Sequence, residues 1–470
     1  MAVDVVCLWA DRTVFGAGLA FEAHKMNLMA ITADGSAVFV ASGAGLYWTR
    51  MHPGGRVDWR AETPHRQRVL TASSEINCVA SGRCDSVDLV LAGTESGDVY
   101  VVRVDPSGAH EHASFSNVAA DQDDLSVWSV VCCKTRPEII TSSNTHLISA
   151  YSLSGEPAPV LVRRMAGHSH NIPCIAVSDD DCFLASASID RAVCIWDAKS
   201  GSLLHRRSMD HLQFGWAVCF FPWHAVGLGA THAPAPAGQA EDSDAADISS
   251  ESDGEGEVRL TDDPFYAYAR IMADDTSRAT DDGILRLPLL QESAVGEVGA
   301  QTGRYVRLRP NRSGGDTTDE TQRDRPLVVF CNQSMIFLLT FDLSLLGCAR
   351  SDSPCCSLLD PRCRLSFLNV VPELSLVIVG CARSNQLSLL RVVRSKGGAC
   401  FERLGLAPQS PQSRMPLIGV SVCPGHVDPD APEPLRFWRL FLLHYDGTLC
   451  SLELRRPIAS RELDLSGVII

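Results

Sequence analysis

The chain has 470 residues, 45% hydrophobic and 21% charged, an ordinary balance for a globular protein with ample apolar material for a buried core. Its formal net charge of −15 argues against sequence-independent binding to nucleic acid, because an acidic chain gains nothing electrostatically from a phosphate backbone. About half of that charge is local: residues 241–257 hold eight carboxylates and no basic side chain.

Along the chain, short β-rich runs come in pairs separated by a polar or glycine turn, the pattern of a hairpin. Seven such pairs occur. They are VFVASGAGLYW from Val38, LVLAGTESGDVYVV from Leu89, IITSSNTHLISAY from Ile139, FLASASIDRAVCIWD from Phe183, LVVFCNQSMIFLL from Leu327, LVIVGCARSNQLSLL from Leu376 and FLLHYDGTLCSLEL from Phe441. Their starts lie 51, 50, 44, 144, 49 and 65 residues apart, a period broken by one large exception. Another apolar run precedes most of the hairpins (NLMAI, EINCVA, SVWSVV, NIPCIAV, LSFLNVV and PLIGVSV) and is expected to be the innermost strand of its unit. Seven small twisted sheets that cannot each cover both faces are best buried by stacking into a closed ring. The expected fold is therefore all-β, a seven-bladed β-propeller with a long insertion in blade five.

The expected blades are 24–52, 75–105, 126–153, 166–205, 214–342, 363–393 and 415–455, in one propeller over 1–470. VDVVCLWA, within 1–15, has no blade of its own and is expected to complete the seventh sheet. The insertion holds an acidic loop at 231–263 and a polar loop at 311–325, too poor in apolar residues to offset the entropy of ordering, so both are expected to be disordered. Ser250 and Ser252 each precede an acid by three residues. Either they are sites for an acidophilic kinase, where phosphate would switch a partner, or they are serines that an acidic loop holds by composition.

In the fourth repeat, Gly167-His168, SASID and Trp196-Asp197 resemble the WD-repeat signature, with 28 residues from His168 to Trp196. The resemblance implies a structural tetrad, in which the Trp196 indole, the Ser186 hydroxyl, the His168 imidazole and the Asp190 carboxylate are linked by hydrogen bonds. Buried polar groups need such partners. Ser186, His168 and Asp190 also have the residue types of a hydrolase triad, but the WD spacing accounts for all three and no G-x-S-x-G elbow is present. No catalytic residue is expected.

Further phrases narrow the resemblance: GHSHNIPCIAV with FGWAVCF beyond it, SVWSVV with ITSSNTHLISAY, VPELSLVIVG, PLIGVSVCPG and RFWRLFLLHYDGTLCSLEL. In this order they resemble the fungal WD-repeat family named for constitutive transcription of ribonucleotide reductase genes. The resemblance implies a negative regulator of those genes, or a substrate receptor of a cullin-type ubiquitin ligase acting in replication stress. Its partners would be proteins: a ligase adaptor and transcription or replication-stress factors. Receptor propellers often carry W-D-x-R, whose arginine docks on the adaptor; here the tetrapeptide is Trp196-Asp197-Ala198-Lys199. Lysine keeps the charge without the planar fork. It is either a weakened docking contact or a solvent-facing turn residue. The loop end near His170, Asn171, Trp128 and Trp216 is the other expected docking surface.

Other constellations add little. The 18 cysteines are scattered, several in apolar runs, which favours free thiols in a reducing nucleus or cytoplasm over a disulfide framework. Cys348, Cys355, Cys356 and Cys363 lack paired C-x-x-C knuckles, so no metal is expected. Gly16, Gly18, Gly43 and Gly45 complete no nucleotide-binding pattern, and no cofactor is expected. No signal peptide is expected, since Asp4 interrupts the first apolar run, and the apolar run around Val218 is too short to span a bilayer, so no membrane partner is expected. Two other function classes remain beside the scaffold. One is a structural subunit of a trafficking or ribosome-assembly complex. The other is a propeller enzyme using the central channel, disfavoured by the apolar inner runs.

Overall fold

The computed structural model describes residues 4–11 as backbone alone, and 25–51, 67–84, 86–117, 125–154, 158–209, 213–227, 325–351, 364–395, 398–407, 415–425 and 437–455. The chain divides into a unit of 1–238 with 319–470, which holds all of these, and a second unit, 239–318, outside them. The acidic loop at 231–263 with Ser250 and Ser252, and all of the 311–325 loop but Arg325, also lie outside the described residues.

Strand β1 (Asp4–Asp11) precedes the first blade, β2 (Met29–Ile31), β3 (Ala37–Ser42), β4 (Gly45–Arg50) and β5 (Gln67–Thr71). Blade two is β6 (Ile76–Cys84), β7 (Val87–Thr94), β8 (Asp98–Asp105) and β9 (Gly108–Ser116). Blade three is β10 (Val127–Cys132), β11 (Glu138–Ser143), β12 (Leu147–Ser152) and β13 (Val160–Ala166). Blade four is β14 (Cys174–Val177), β15 (Phe183–Ala187), β16 (Ala192–Asp197) and β17 (Leu203–Ser208). Blade five is β18 (Ala217–Phe221), β19 (Leu327–Cys331), β20 (Met335–Leu339) and β21 (Leu345–Arg350). Blade six is β22 (Phe367–Val371), β23 (Leu376–Gly380), β24 (Leu387–Ser395) and β25 (Gly398–Leu406). Blade seven is β26 (Leu417–Pro424), β27 (Trp438–His444) and β28 (Leu449–Arg455), with β1 paired antiparallel to β28 as its fourth strand.

The chain is thus a seven-bladed, all-β propeller, and the long interruption falls between β18 and β19, which pair directly from Ala217–Cys331 to Phe221–Leu327. Each innermost strand packs on the next around a complete circle, with β2 touching both β6 and β26. The middle strands are buried on both faces, as in LVVFC of β19 and LVIVG of β23, because neighbouring blades cover both sides of each sheet. Hydrophobic clusters accordingly straddle blade boundaries: one joins Val38 and Phe39 to Phe441 and Leu443, another joins Ile195 to Phe330.

The seam between blades seven and one is also stitched by polar groups. Asn27 donates to the Val420 carbonyl at 2.9 Å and accepts from the Val420 amide at 3.1 Å, while the Leu28 amide donates to Ile418 at 3.0 Å. Gly419 makes this approach feasible, since a Cβ there would stand 2.6 Å from that of Met29.

Each sheet extends past its hairpin. The sequence-based bounds stop at the third strand in blades one, two, three, five and six, short of β5, β9, β13, β21 and β25. All seven outer strands share one irregularity, a one-residue bulge opposite the same position of the third strand: Tyr47, Val102, Tyr151, Trp196, Leu339, Leu390 and Leu452. Bulges bend an edge and interrupt its hydrogen-bonding row, which protects it from pairing with other chains.

Candidate functional site

Blade four brings together the four residues of the WD signature. The Trp196 indole N–H donates to Ser186 Oγ at 2.9 Å, and Ser186 Oγ lies 2.7 Å from His168 Nε2. His168 Nδ1 lies 3.0 Å from Asp190 Oδ2. Because the indole can only donate and the carboxylate only accept, Ser186 Oγ accepts from Trp196 and His168 Nδ1–H donates to Asp190. Asp190 also accepts from the Ser169 amide at 3.0 Å and the Ala192 amide at 2.9 Å, and Arg206 Nη2 stands 3.3 Å away. Burial alone would raise the Asp190 carboxyl; the His168 bond and charge and the two amides outweigh it and hold the group well below the usual carboxylate range.

This arrangement cannot do hydrolase chemistry. Ser186 is 0% exposed and the His168 side chain 0%, so no substrate reaches the hydroxyl. What the network does is fasten the loop bearing His168 to the β15–β16 turn. Ser188 extends this by donating to the Asn171 carbonyl at 2.8 Å.

Blade three holds a second, shorter network that the sequence reading missed. Tyr151 Oη and Thr141 Oγ1 each donate to Asn117 Oδ1 at 2.8 Å. Tyr151 occupies the register position of Trp196, and Thr141 that of Ser186. One signal was available, since ten residues separate Thr141 from Tyr151 just as ten separate Ser186 from Trp196. Asp181 was missed too. It is buried in the β14–β15 turn, accepts from the amides of Lys134 and Thr135 at 3.0 and 2.6 Å and from Thr135 Oγ1 at 2.8 Å, and so clamps blade four to blade three.

The residues expected to meet partners are split. His170 and Asn171 lie in the loop from β13 to β14, where His170 is exposed and stacks near His146, ring centroids 5.6 Å apart. Although His170 as a residue is exposed, desolvation of the rings is the main cause that lowers both imidazoles below their ordinary value, with repulsion from His146 adding at His170. Trp128 and Trp216 are core residues, 7% and 0% exposed, which removes them from any docking surface: Trp128 begins an inner strand and Trp216 packs beneath Arg364. Asp197 and Lys199 sit at the opposite end of the blade, Asp197 ending β16 and Lys199 in the turn to β17. The Asp197 carboxylate accepts from the amides of Ser200 at 2.6 Å and Lys199 at 3.1 Å and is held low by them, Ser200 first, while the Lys199 side chain is exposed.

Between the inner strands lies a cavity of about 360 Å³, on which Lys134 and Asp181 are the charged lining residues. Its thiols are kept protonated by burial: Cys78 and Cys132 are pushed up to about 12 and Cys174 to about 11. Among the described residues, no three His, Cys, Asp or Glu side chains converge as metal ligands. Cys348 is exposed, and its three expected companions lie outside the described residues. Among the described residues no helix is long and apolar enough to cross a membrane.

Known proteins agree with this geometry. The family model "WD domain, G-beta repeat" matches residues 159–197, which run from β13 to Trp196-Asp197. A WD40 repeat-containing protein of Dictyostelium discoideum is 28% identical over 31% of this chain and 21% of its own length. An uncharacterized WD repeat-containing protein of Schizosaccharomyces pombe is 25% identical over 67% of this chain and 65% of its own. The chain thus spans less than two thirds of either relative. Among solved structures, a chain in the mitotic checkpoint complex superimposes with a TM-score of 0.55 at 11% identity, covering 97% of this chain and 93% of that one. Saccharomyces cerevisiae Sqt1 does so at 0.51 and 7% identity, over 93% and 98%. These two likenesses carry the fold alone. The chain is a seven-bladed propeller whose fourth blade matches the WD40 repeat model, and it has distant WD-repeat relatives.

Proposed function

We propose that this propeller is a non-enzymatic protein-interaction scaffold that restrains ribonucleotide reductase gene transcription in the nucleus, serving as a substrate receptor of a cullin-type ubiquitin ligase under replication stress. The observation that carries the scaffold part is the burial of the tetrad. The constellation that has the residue types of a catalytic triad, Ser186, His168 and Asp190, is sealed inside blade four, with each member engaged in holding the loop end. The regulatory part rests on the sequence resemblance, from the HNIP that follows His168 to the closing repeat.

The test is affinity purification of the full chain with identification of what accompanies it. Cullin and adaptor subunits are expected; coat or preribosomal proteins would instead make it a structural subunit of a trafficking or assembly complex. Deletion of the gene should raise ribonucleotide reductase transcripts without DNA damage, and unchanged transcripts would defeat the regulatory reading. Lys199→Arg, which restores the bidentate fork, should strengthen adaptor recovery, and Lys199→Glu should abolish it.

A further inference from the structure

Among the described residues eight large apolar side chains are exposed, and five of them, Val160, Leu161, Val162, Leu203 and Leu204, lie on just two strands, β13 and β17. These are the outer strands of adjacent blades. The turn leading into β17 reaches β13: a Cβ on Gly201 would stand 3.1 Å from Met165 Cγ and 3.5 Å from Arg163 Cδ. Gly167, just past the end of β13, lies against Leu203, 3.5 Å from where a Cβ would be. The two outer strands therefore adjoin at the Arg163–Gly167 end of β13, beside Leu203.

Their exposure has a local cause. Val162 and Leu204 are the extra residues of the outer-strand bulges in blades three and four, skipped in the pairing with Ala150–Tyr151 and Ile195–Trp196. The equivalent residue in blade two is His112, so a polar side chain is tolerated at this position. It is aliphatic but half-buried in blades one, five and six, as Val69, Leu346 and Leu404, whereas Val162 and Leu204 stand 46% and 41% exposed. Large apolar side chains exposed together on adjoining strands mark a site of interaction.

The charge around it is equally specific. β13 and β17 carry Arg163, Arg164, Arg206 and Arg207 and no carboxylate, in a chain of net charge −15. Arg163 is engaged with Glu138, and Arg207 donates to the Leu343 carbonyl. Arg164 and Arg206 are exposed, and the bond from Arg206 to Asp190 uses one of its five donors.

We infer that the outer rim of blades three and four docks an acidic peptide segment of a partner protein, with aliphatic or aromatic anchors seated on Val160, Leu161, Val162, Leu203 and Leu204 and carboxylates facing Arg164 and Arg206. The bulges interrupt both edges, so the partner is read through side chains and is not added as a fifth strand. This surface deepens the scaffold reading and rests on it for its biological use.

The test is selection of random peptides displayed on phage against the full chain, followed by binding of the enriched peptides in solution. Enriched peptides should combine Asp or Glu with Leu, Val, Ile or Phe. Val162→Ser with Leu204→Ser should weaken them by about tenfold or more, as loss of central apolar anchors does, and Arg164→Glu by a similar factor, with affinity falling as salt rises. All three positions are exposed, and unchanged thermal melting of the variants checks that the fold is kept. Peptides without that composition, or equal binding by the variants, would overturn the inference. So would an oligonucleotide that binds as tightly and is lost on Arg164→Glu but not on the apolar double variant, since that identifies a general polyanion patch. If the apolar variant recovers the same partners on affinity purification as the unaltered chain, the scaffold stands and this surface falls. If neither recovers a partner while the selected peptides still discriminate, the surface stands and the scaffold reading falls.

Discussion

Replacing Ser186 by alanine tests whether the buried network holds blade four. The hydroxyl has two duties, accepting from the Trp196 indole at 2.9 Å and bonding His168 Nε2 at 2.7 Å. With Ser186 and the His168 side chain both 0% exposed, water cannot take its place. Each of the two orphaned buried groups costs about 1–3 kcal/mol, so Ser186→Ala should destabilise the blade by about 2–6 kcal/mol. Thr141→Val in blade three is the internal control. Asn117 Oδ1 keeps its bond from Tyr151, so only one modest hydrogen bond is lost, at about 1 kcal/mol. Amide hydrogen exchange resolved along the chain is the appropriate assay, because it reads each blade's own opening free energy. Protection should fall in β15 and β16 far more for Ser186→Ala than it falls in β11 and β12 for Thr141→Val. Adding Trp196→Phe to Ser186→Ala removes one orphan, so the pair should cost less than the sum of the single changes. Protection in blade four within about 0.5 kcal/mol of the unaltered chain after Ser186→Ala would refute the structural role.

Three further outcomes follow from the same geometry. His146 and His170 have folded values lowered from 6.5, chiefly by burial, so the unfolded chain binds protons first as pH falls; stability should drop below about pH 6.5, and a double His→Asn variant should flatten that limb in urea titrations at several pH values. His146 sits at φ 63° where the matching turns of blades two and seven have Gly97 at 90° and Gly447 at 78°, so His146→Gly should stabilise blade three by up to about 1 kcal/mol in thermal melts by releasing left-handed strain. Gly419→Ala would press a methyl to 2.6 Å from Met29 Cβ at the closing seam and should cost about 1–3 kcal/mol, seen as early exchange in β2 and β26.

How much of this was legible follows burial. The seven hairpins were readable because second and third strands are covered on both faces and must be apolar throughout, as in β19 and β23. The outer strands were not, because one edge meets solvent: GAHEHASFS of β9 and LLHRRS of β17 carry no clean alternation, and the bulge breaks what alternation there is. Trp128 and Trp216 were mistaken for surface residues because aromatics beside loops look like contacts in a sequence, whereas here the blades close over them.

Why blade four alone spells out the signature has a physical answer in the register. The third-strand residue at the bulge is Trp, Tyr or aliphatic, and the second-strand residue two places beyond its partner follows suit. Where the former carries a donor, as in Tyr47, Tyr151 and Trp196, the latter is a hydroxyl: Ser42, Thr141 and Ser186. Where it is aliphatic, as in Val102, Leu339, Leu390 and Leu452, the latter is Ala92, Phe330, Val379 and Leu442. In blade four the hydroxyl accepts from the donor and in blade three both hydroxyls donate to Asn117 Oδ1, whereas beside an aliphatic side chain a polar group would be left without a partner. The polar residues are therefore gained or lost together, while the bulge and the stacked faces, present in every blade, are what make the ring. A blade without Trp-Asp is another solution to the same register, polar in blades one and three and apolar in blades two, five, six and seven, not a damaged repeat.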